Sequence, residues 1–206
     1  MMTPWRKFSY KKLSTIIING VILDLGGSKN AGYHKLIQGE HTFITVDLDK
    51  EQGCDIQADL DKPFPMESNK YDAVLCMNIL EHIFNYQQFL NESRRVLRDD
   101  GKFIMLVPFL IQIHPSPHDY FRFSSEALRR ILELAGFHSI EIEPIGRGSF
   151  TAASQLQYNL PKFVLVRTLS SYFSQLMDFL VSFIDKKRSF INEYYPLGYF
   201  VIAKKG

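Results

Sequence analysis

Short apolar runs that stop at carboxylates constrain this chain more than any other feature. The runs at 21–25, 43–46 and 56–58 carry or abut Asp24, Asp47 and Asp59, and two further runs follow at 71–76 and 103–107, the last stopped by Pro108. Runs of this length, rich in Val, Ile and Phe, suit buried strands rather than helices. Segments with helical spacing lie between them. Tyr86, Phe89, Leu90, Ser93 and Leu97 share one helical face, with Arg94, Arg95 and Arg98 in the last turns, where basic side chains favour the helix dipole. Asp99-Asp100-Gly101 reads as the turn into the next strand. A short helix is expected over 33–38, ended by Gly39. Another begins at Ser124 or Ser125 as cap, with Glu126 in its first turn and Leu128, Ile131, Leu132 and Ala135 buried, and Gly136 ends it. Two last strands are expected over 139–143 and 198–203.

Strands alternating with helices predict an α/β fold, a parallel sheet with helices on both faces. Such sheets bind ligands beyond the carboxyl ends of their strands, where Asp24, Asp47 and Asp59 fall. Gly26 and Gly27 follow Asp24 directly. Adjacent glycines after a strand often make only a tight turn, but they also let backbone approach a ligand, and a helix N-terminus after them would offer N–H groups. Asp47 comes 23 residues after Asp24, close to the offset of a ribose-binding acid. Asp59 is placed to accept from an adenine amino group. A nucleotide-like ligand is the economical reading.

With 206 residues the chain suits one domain. A net charge of +2 gives no reason to expect a nucleic-acid partner. Cys54 and Cys76 form no CxxC pair, so neither cysteine-bound zinc nor a disulfide framework is expected, and a reducing cytoplasm is the default. The basic N-terminus lacks the apolar run of a signal peptide.

The stretches VILDLGG, FITVDLD, IQADLDKPFPMESNKYDAVLCMNILEHI and RVLRDDGKFIMLVPF resemble the successive motifs of class I S-adenosylmethionine-dependent methyltransferases. The resemblance covers about residues 21–137 plus the final strand. It implies a Rossmann-like three-layer sandwich whose mostly parallel seven-stranded sheet ends in an antiparallel strand, with S-adenosylmethionine as cofactor. By that resemblance Asp24, Gly26 and Gly27 shape the pocket for the methionine part. Asp47 holds the ribose with Leu48 against the adenine, Asp59 and Leu60 face the adenine edge, and Met77 and Asn78 line the floor near the sulfonium. Glu81-His82 matches a frequent pair of the family. The glycine motif departs from Asp-x-Gly-x-Gly-x-Gly: its slots read Asp24, Gly26, Ser28 and Asn30.

Candidate catalytic residues lie in PFLIQIHPSPHDYFRFSSEAL, after the fifth strand. His118 beside Asp119 offers a base with a neighbouring carboxylate, and His114 is the second candidate. No metal site is expected, because Pro115 and Pro117 prevent the helix that would pair His114 with His118. The bland alternative has His118, Asp119 and Arg122 merely tying down a proline-rich loop. The segment is similar to one in a branch linked to glycan and cell-envelope synthesis, which implies a small-molecule, glycan or lipid-linked acceptor.

The domain reading is a single methyltransferase-like unit over 1–206, with an N-terminal extension at 1–20 and a helical insertion at 150–195. From Pro161 the insertion places Val166, Leu169, Phe173, Leu176, Leu180 and Ile184 on one face, and Arg167, Ser171, Ser174, Asp178 and Ser182 on another. The apolar face is expected to pack over the substrate pocket. Peripheral membrane contact, with Lys186-Lys187-Arg188 nearby, and a homodimer through 161–188 stay open. Two rival functions also stay open: a non-catalytic methyltransferase-like binding protein and an NAD-dependent oxidoreductase.

Overall fold

The computed structural model describes residues 2–157, 163–184 and 191–206. Helix α1 (Pro4–Leu13) precedes β1 (Gly20–Leu25), β2 (His41–Asp47), β3 (Ile56–Gln57) and β4 (Tyr71–Met77). Then come α2 (Tyr86–Val96), β5 (Leu97–Pro108), α3 (Ser125–Leu134) and β6 (Phe137–Ile145). The chain closes with α4 (Ser149–Leu156), α5 (Val164–Ile184), α6 (Ile191–Tyr194) and β7 (Gly198–Lys205). The strands form one sheet in the order β3-β2-β1-β4-β5-β7-β6. Pairs among β1 to β5 are parallel, and β7 runs antiparallel to both β5 and β6. This is the Rossmann-like sheet with a reversed last strand.

Alternation along the central strands assigns the two faces. Val74, Cys76, Phe103 and Met105 point to one, where Phe89 and Leu90 of α2 and Leu128 and Leu132 of α3 complete the core. Ala73, Leu75, Ile104 and Leu106 point to the other, which is covered by Leu13, Ile16 and Ile18 from the N-terminal segment. Both faces are therefore covered, which is why β4 and β5 read as nearly unbroken apolar runs.

The helix expected over 33–38 shrinks to one 3₁₀ turn, His34–Leu36. Its first residues are tied down instead: Tyr33 Oη and His34 Nε2 both contact Asp24 Oδ2, at 2.6 and 2.7 Å. The helix N-terminus anticipated beside the glycines is consequently missing, and α1 fills that face of the sheet. Other sequence signals are realised as expected. Ser124 Oγ accepts from the Ala127 amide, and Gly136 ends α3 at φ +82°. Residues 98–101 loop out between the pairs Tyr71–Leu97 and Ala73–Lys102, with Asp100 at φ +61°. Leu97 opens β5 rather than closing α2.

The insertion is helical, but α5 is turned the opposite way from the expectation. Its inward stripe is polar: Ser171, Gln175 and Asp178 are buried. Leu169, Phe173 and Leu176 are 61%, 62% and 51% exposed. Specific hydrogen bonds fix this rotation. Asp178 accepts from the Phe150 and Thr151 amides at 3.1 and 2.8 Å, capping α4, whose own N-cap residue, Gly148, offers no side chain. Gln175 bonds to Ser171 and accepts from Lys7 Nζ at 3.0 Å. The expected packing of the apolar face over a pocket is thus replaced by packing of the polar face on α4. The expected start at Pro161 and the run Lys186-Lys187-Arg188 lie outside the described residues. Among the described residues no helix is long and apolar enough to cross a membrane.

Candidate functional site

Two adjoining cavities open along the carboxyl ends of β1, β2 and β4, and both are lined by Gly26, Asp47, Leu48, Ser116 and Pro117. One, of about 620 Å³, adds Gly27, Ser28 and Tyr33. The other, of about 400 Å³, adds Asp59, Leu60, Asn78, Ile79, His82 and His118. A third of about 410 Å³, on the α1 side, is lined by Trp5, Tyr10, Tyr33, Met77 and Asn78. The structure therefore gathers Gly26, Gly27, Asp47, Leu48, Asp59, Leu60 and Asn78 along one continuous depression, with Met77 across Asn78.

Asp24 is different. It lines none of these cavities and is fully buried beneath the glycine turn. Burial pushes its carboxyl above the usual range, against the bonds from His34 and Tyr33. Its Oδ1 is buried without a hydrogen-bond partner. Burial and the neighbouring Asp24 together push the Tyr33 phenol far above its ordinary range.

The glycines now have separate causes. Gly26 sits at φ +74°, and a Cβ there would lie 2.0 Å from Ile79 Cδ1. A Cβ on Gly27 would lie 1.9 Å from Asp24 Oδ2. The first glycine is needed for the turn and the second for the carboxylate beneath it.

Asp47 ends β2 half-buried, and its Oδ1 accepts from the Asp49 amide at 2.9 Å. Asp59 lies two residues beyond β3. Its Oδ1 accepts from Asp61 N, while Lys62, 3.1 Å from Oδ2, is the main cause of its lowered pKa. Asn78 adopts φ +58°, and its Oδ1 accepts from Trp5 Nε1 at 3.0 Å.

The loop after β5 folds over this edge, held by bonds to the Glu81-His82 turn. Tyr120 N donates to Glu81 O at 2.8 Å, and His82 Nδ1 bonds to the His118 carbonyl. The expected pair of His118 with Asp119 does not form. Asp119 is clamped by Arg122 through both oxygens, with Nη2 to Oδ2 at 2.7 Å, and accepts from the His114 amide. The His118 ring is left exposed at the cavity rim. His114 lies elsewhere, its Nε2 3.5 Å from Glu81 Oε1, and His82 Nε2 is 3.7 Å from the same oxygen. Glu81 pulls the His114 pKa up against the effect of burial.

Arg122 holds the Asp119 carboxyl at about 2, below the usual 3.8. A depressed folded-state value contributes stability above the unfolded value, and that contribution is lost as pH falls from about 4 toward 2. That depression corresponds to about 2 kcal/mol. Asp119→Asn should therefore lower the melting temperature at pH 7 but make no difference near pH 2. An equal loss at both pH values would reject the ion pair as the cause.

A methyltransferase-domain family model matches residues 23–105. Over that stretch the chain is similar to a methyltransferase domain, and its sheet has the class I methyltransferase fold. It is 23% identical to a probable S-adenosylmethionine-dependent methyltransferase of Mycolicibacterium smegmatis, across 62% of this chain and 56% of that one. A stretch of 43 residues is 51% identical to an uncharacterized protein of Methanocaldococcus jannaschii, covering 21% of this chain and 19% of that one. The chain thus spans about a fifth and just over half of these curated relatives. A crystal structure of an S-adenosylmethionine-dependent methyltransferase from Archaeoglobus fulgidus superposes with TM-score 0.61 at 16% identity, over 97% and 94% of the two chains. At that identity the likeness is one of fold.

The cofactor of this domain class is S-adenosylmethionine, and the residues present fit it. Backbone at Gly26 and Gly27 lines the depression without side chains, and the carboxylates of Asp47 and Asp59 follow it along the same edge. Residues that sequence reasoning did not find also stand here. Tyr33 and Trp5 face the cavities because distant segments pack together, and no spacing in the chain announces them.

Proposed function

We propose that this methyltransferase domain transfers a methyl group from S-adenosylmethionine to a polar acceptor, a small molecule or a glycan or lipid-linked one. The supporting observation is the continuous line of Gly26, Asp47, Asp59 and Asn78 along one strand edge. The cofactor supplies an activated methyl on a sulfonium. Asp47 accepts from the ribose hydroxyls, and Leu48 lies against the adenine. Asp59 and Leu60 face the adenine edge, and backbone at Gly26 and Gly27 meets the amino-acid part. Met77 and Asn78 line the floor, and Trp5 holds the Asn78 carbonyl oxygen in place. The loop over 109–123 excludes water and presents His118, which takes the acceptor proton where the acceptor is a hydroxyl. Calorimetric titration with S-adenosylhomocysteine and, separately, with NAD tests the reading. Micromolar binding of the first alone supports it. Binding of NAD instead would replace it with an oxidoreductase, and binding of neither would favour a non-catalytic role.

The outward face of α5 bears on where the acceptor lies. Residues 162–188 hold five basic side chains and two acidic ones, and one of the acids, Asp178, is buried against α4. In sequence, Lys162 precedes the helix and Lys186, Lys187 and Arg188 follow it, while Leu169, Phe173 and Leu176 between them are exposed. An anionic bilayer surface matches both the apolar stripe and the charge. The protein is expected to sediment with phosphatidylglycerol vesicles and not with phosphatidylcholine ones, and Phe173→Glu should abolish this. Equal recovery in the pellet for the variant, or concentration-dependent dimerisation without vesicle binding, would reject the membrane reading.

A further inference from the structure

Glu81 is out of contact with solvent, and among the described residues neither of its carboxylate oxygens has a hydrogen-bond partner. Buried carboxylate oxygens without a partner are costly, and a bound group would satisfy them. Two imidazoles face it. His82 Nε2 and His114 Nε2 lie 3.7 and 3.5 Å from Oε1, and the rings stand nearly perpendicular, at 83°. Each ring is anchored through its other nitrogen. His82 Nδ1 bonds to the carbonyl of His118, and His114 Nδ1 to that of Gln112 at 3.0 Å. Carbonyls only accept, so each Nδ1 carries a proton, and in the neutral tautomer each Nε2 turns its lone pair toward the carboxylate. Three groups able to ligate a cation thus converge on one point.

We propose that Glu81, His82 and His114 bind a divalent first-row transition cation, zinc in particular, through one carboxylate oxygen and the two Nε2 atoms. The three ligand atoms lie within 4.8 Å of one another. A tetrahedral ion with bonds of about 2.0–2.1 Å has ligand-to-ligand edges of about 3.3–3.4 Å, so oxygen-to-nitrogen gaps of 3.5 and 3.7 Å close on such an ion with small side-chain movements. Backbone carbonyls holding the distal ring nitrogens are the usual outer shell of metal-bound histidines. The site joins the turn after β4 to the loop after β5, and so ties that loop to the strand edge. Three protein ligands leave a coordination position for an exchangeable group. His82 is shared with the cavity lined by Asn78, Ile79 and His118. An acceptor hydroxyl taken at the open position would be polarised there, with His118 at the rim to receive its proton. That last step rests on the methyl-transfer reading; the binding of the cation does not.

The test uses the full chain stripped of metal with a chelator, titrated with zinc and with cobalt(II). One equivalent of zinc should bind at submicromolar concentration and raise the melting temperature, and cobalt should give the d–d absorption of a low-coordinate nitrogen and oxygen site. His114→Ala, a change on a partly exposed loop, should weaken zinc binding by at least about a hundredfold and abolish the cobalt bands. Glu81→Gln should do the same. Failure to bind one equivalent would overturn the proposal, as would binding unchanged in both variants. An NMR titration showing His114 doubly protonated and paired with Glu81 at neutral pH, with zinc present, would also overturn it. Titration of the same samples with S-adenosylhomocysteine separates the two readings: zinc without cofactor binding sustains the metal site and removes methyl transfer, and the reverse removes only the metal site.

Discussion

Asp47→Ala is expected to weaken S-adenosylhomocysteine binding by about a hundredfold. Each hydrogen bond from a ribose hydroxyl to a carboxylate contributes about 1.5–3 kcal/mol, and two lost bonds exceed the roughly 2.8 kcal/mol that a hundredfold represents. Asp47 is well placed for this. It closes β2 and lines both adjoining cavities, and only one of its oxygens is engaged, by the Asp49 amide within its own turn. Its removal should therefore spare the fold, which separates a binding defect from unfolding. Asp59→Ala should cost about tenfold or less, since Asp59 is already paired with Lys62. Isothermal calorimetry on the two variants decides the matter. Affinity within threefold of the parent for Asp47→Ala would mean that the ribose does not lie against β2.

The second large effect concerns stability. Asp178→Ala should destabilise the protein by about 2–3 kcal/mol, because it removes an N-terminal cap and leaves the Phe150 and Thr151 amides without acceptors in a buried contact. For a chain of this size that corresponds to about 4–12 °C in melting temperature. Hydrogen exchange gives the sharper readout. The amides of Phe150 and Thr151 should exchange at least tenfold faster while those of β4 and β5 stay protected, and cofactor affinity should be unchanged. Unaltered exchange at both amides would show that α5 does not dock through its polar side.

The α5 result also shows where periodicity misleads. An apolar stripe at helical spacing is ordinarily the buried one. Here the sequence correctly marks two faces but carries no sign of which faces inward. That is settled by a few directed bonds, Asp178 to the start of α4 and Gln175 to Lys7, between residues far apart in the chain.

The strands, their order of appearance and the carboxylates near their ends were legible because each depends on local pattern: apolar runs of strand length, glycines where a turn must tighten, an acid at or within two residues of the strand end. The cap at Ser124 and the stop at Gly136 are local in the same sense. What depended on tertiary structure was every relation between distant segments. Tyr33 and His34 were drawn to Asp24 instead of starting a helix. Asp119 turned to Arg122 rather than to the histidine beside it. His114 met Glu81 and His82, 33 and 32 positions earlier, rather than His118 four positions on. Sequence alone fixed which side chains stand at the edge of the sheet, because strand length and turn chemistry are short-range. Which of them touch was decided by packing of the loop after β5 and of α1 and α5, where burial and a limited supply of hydrogen-bond partners select one arrangement among many that the spacing permits.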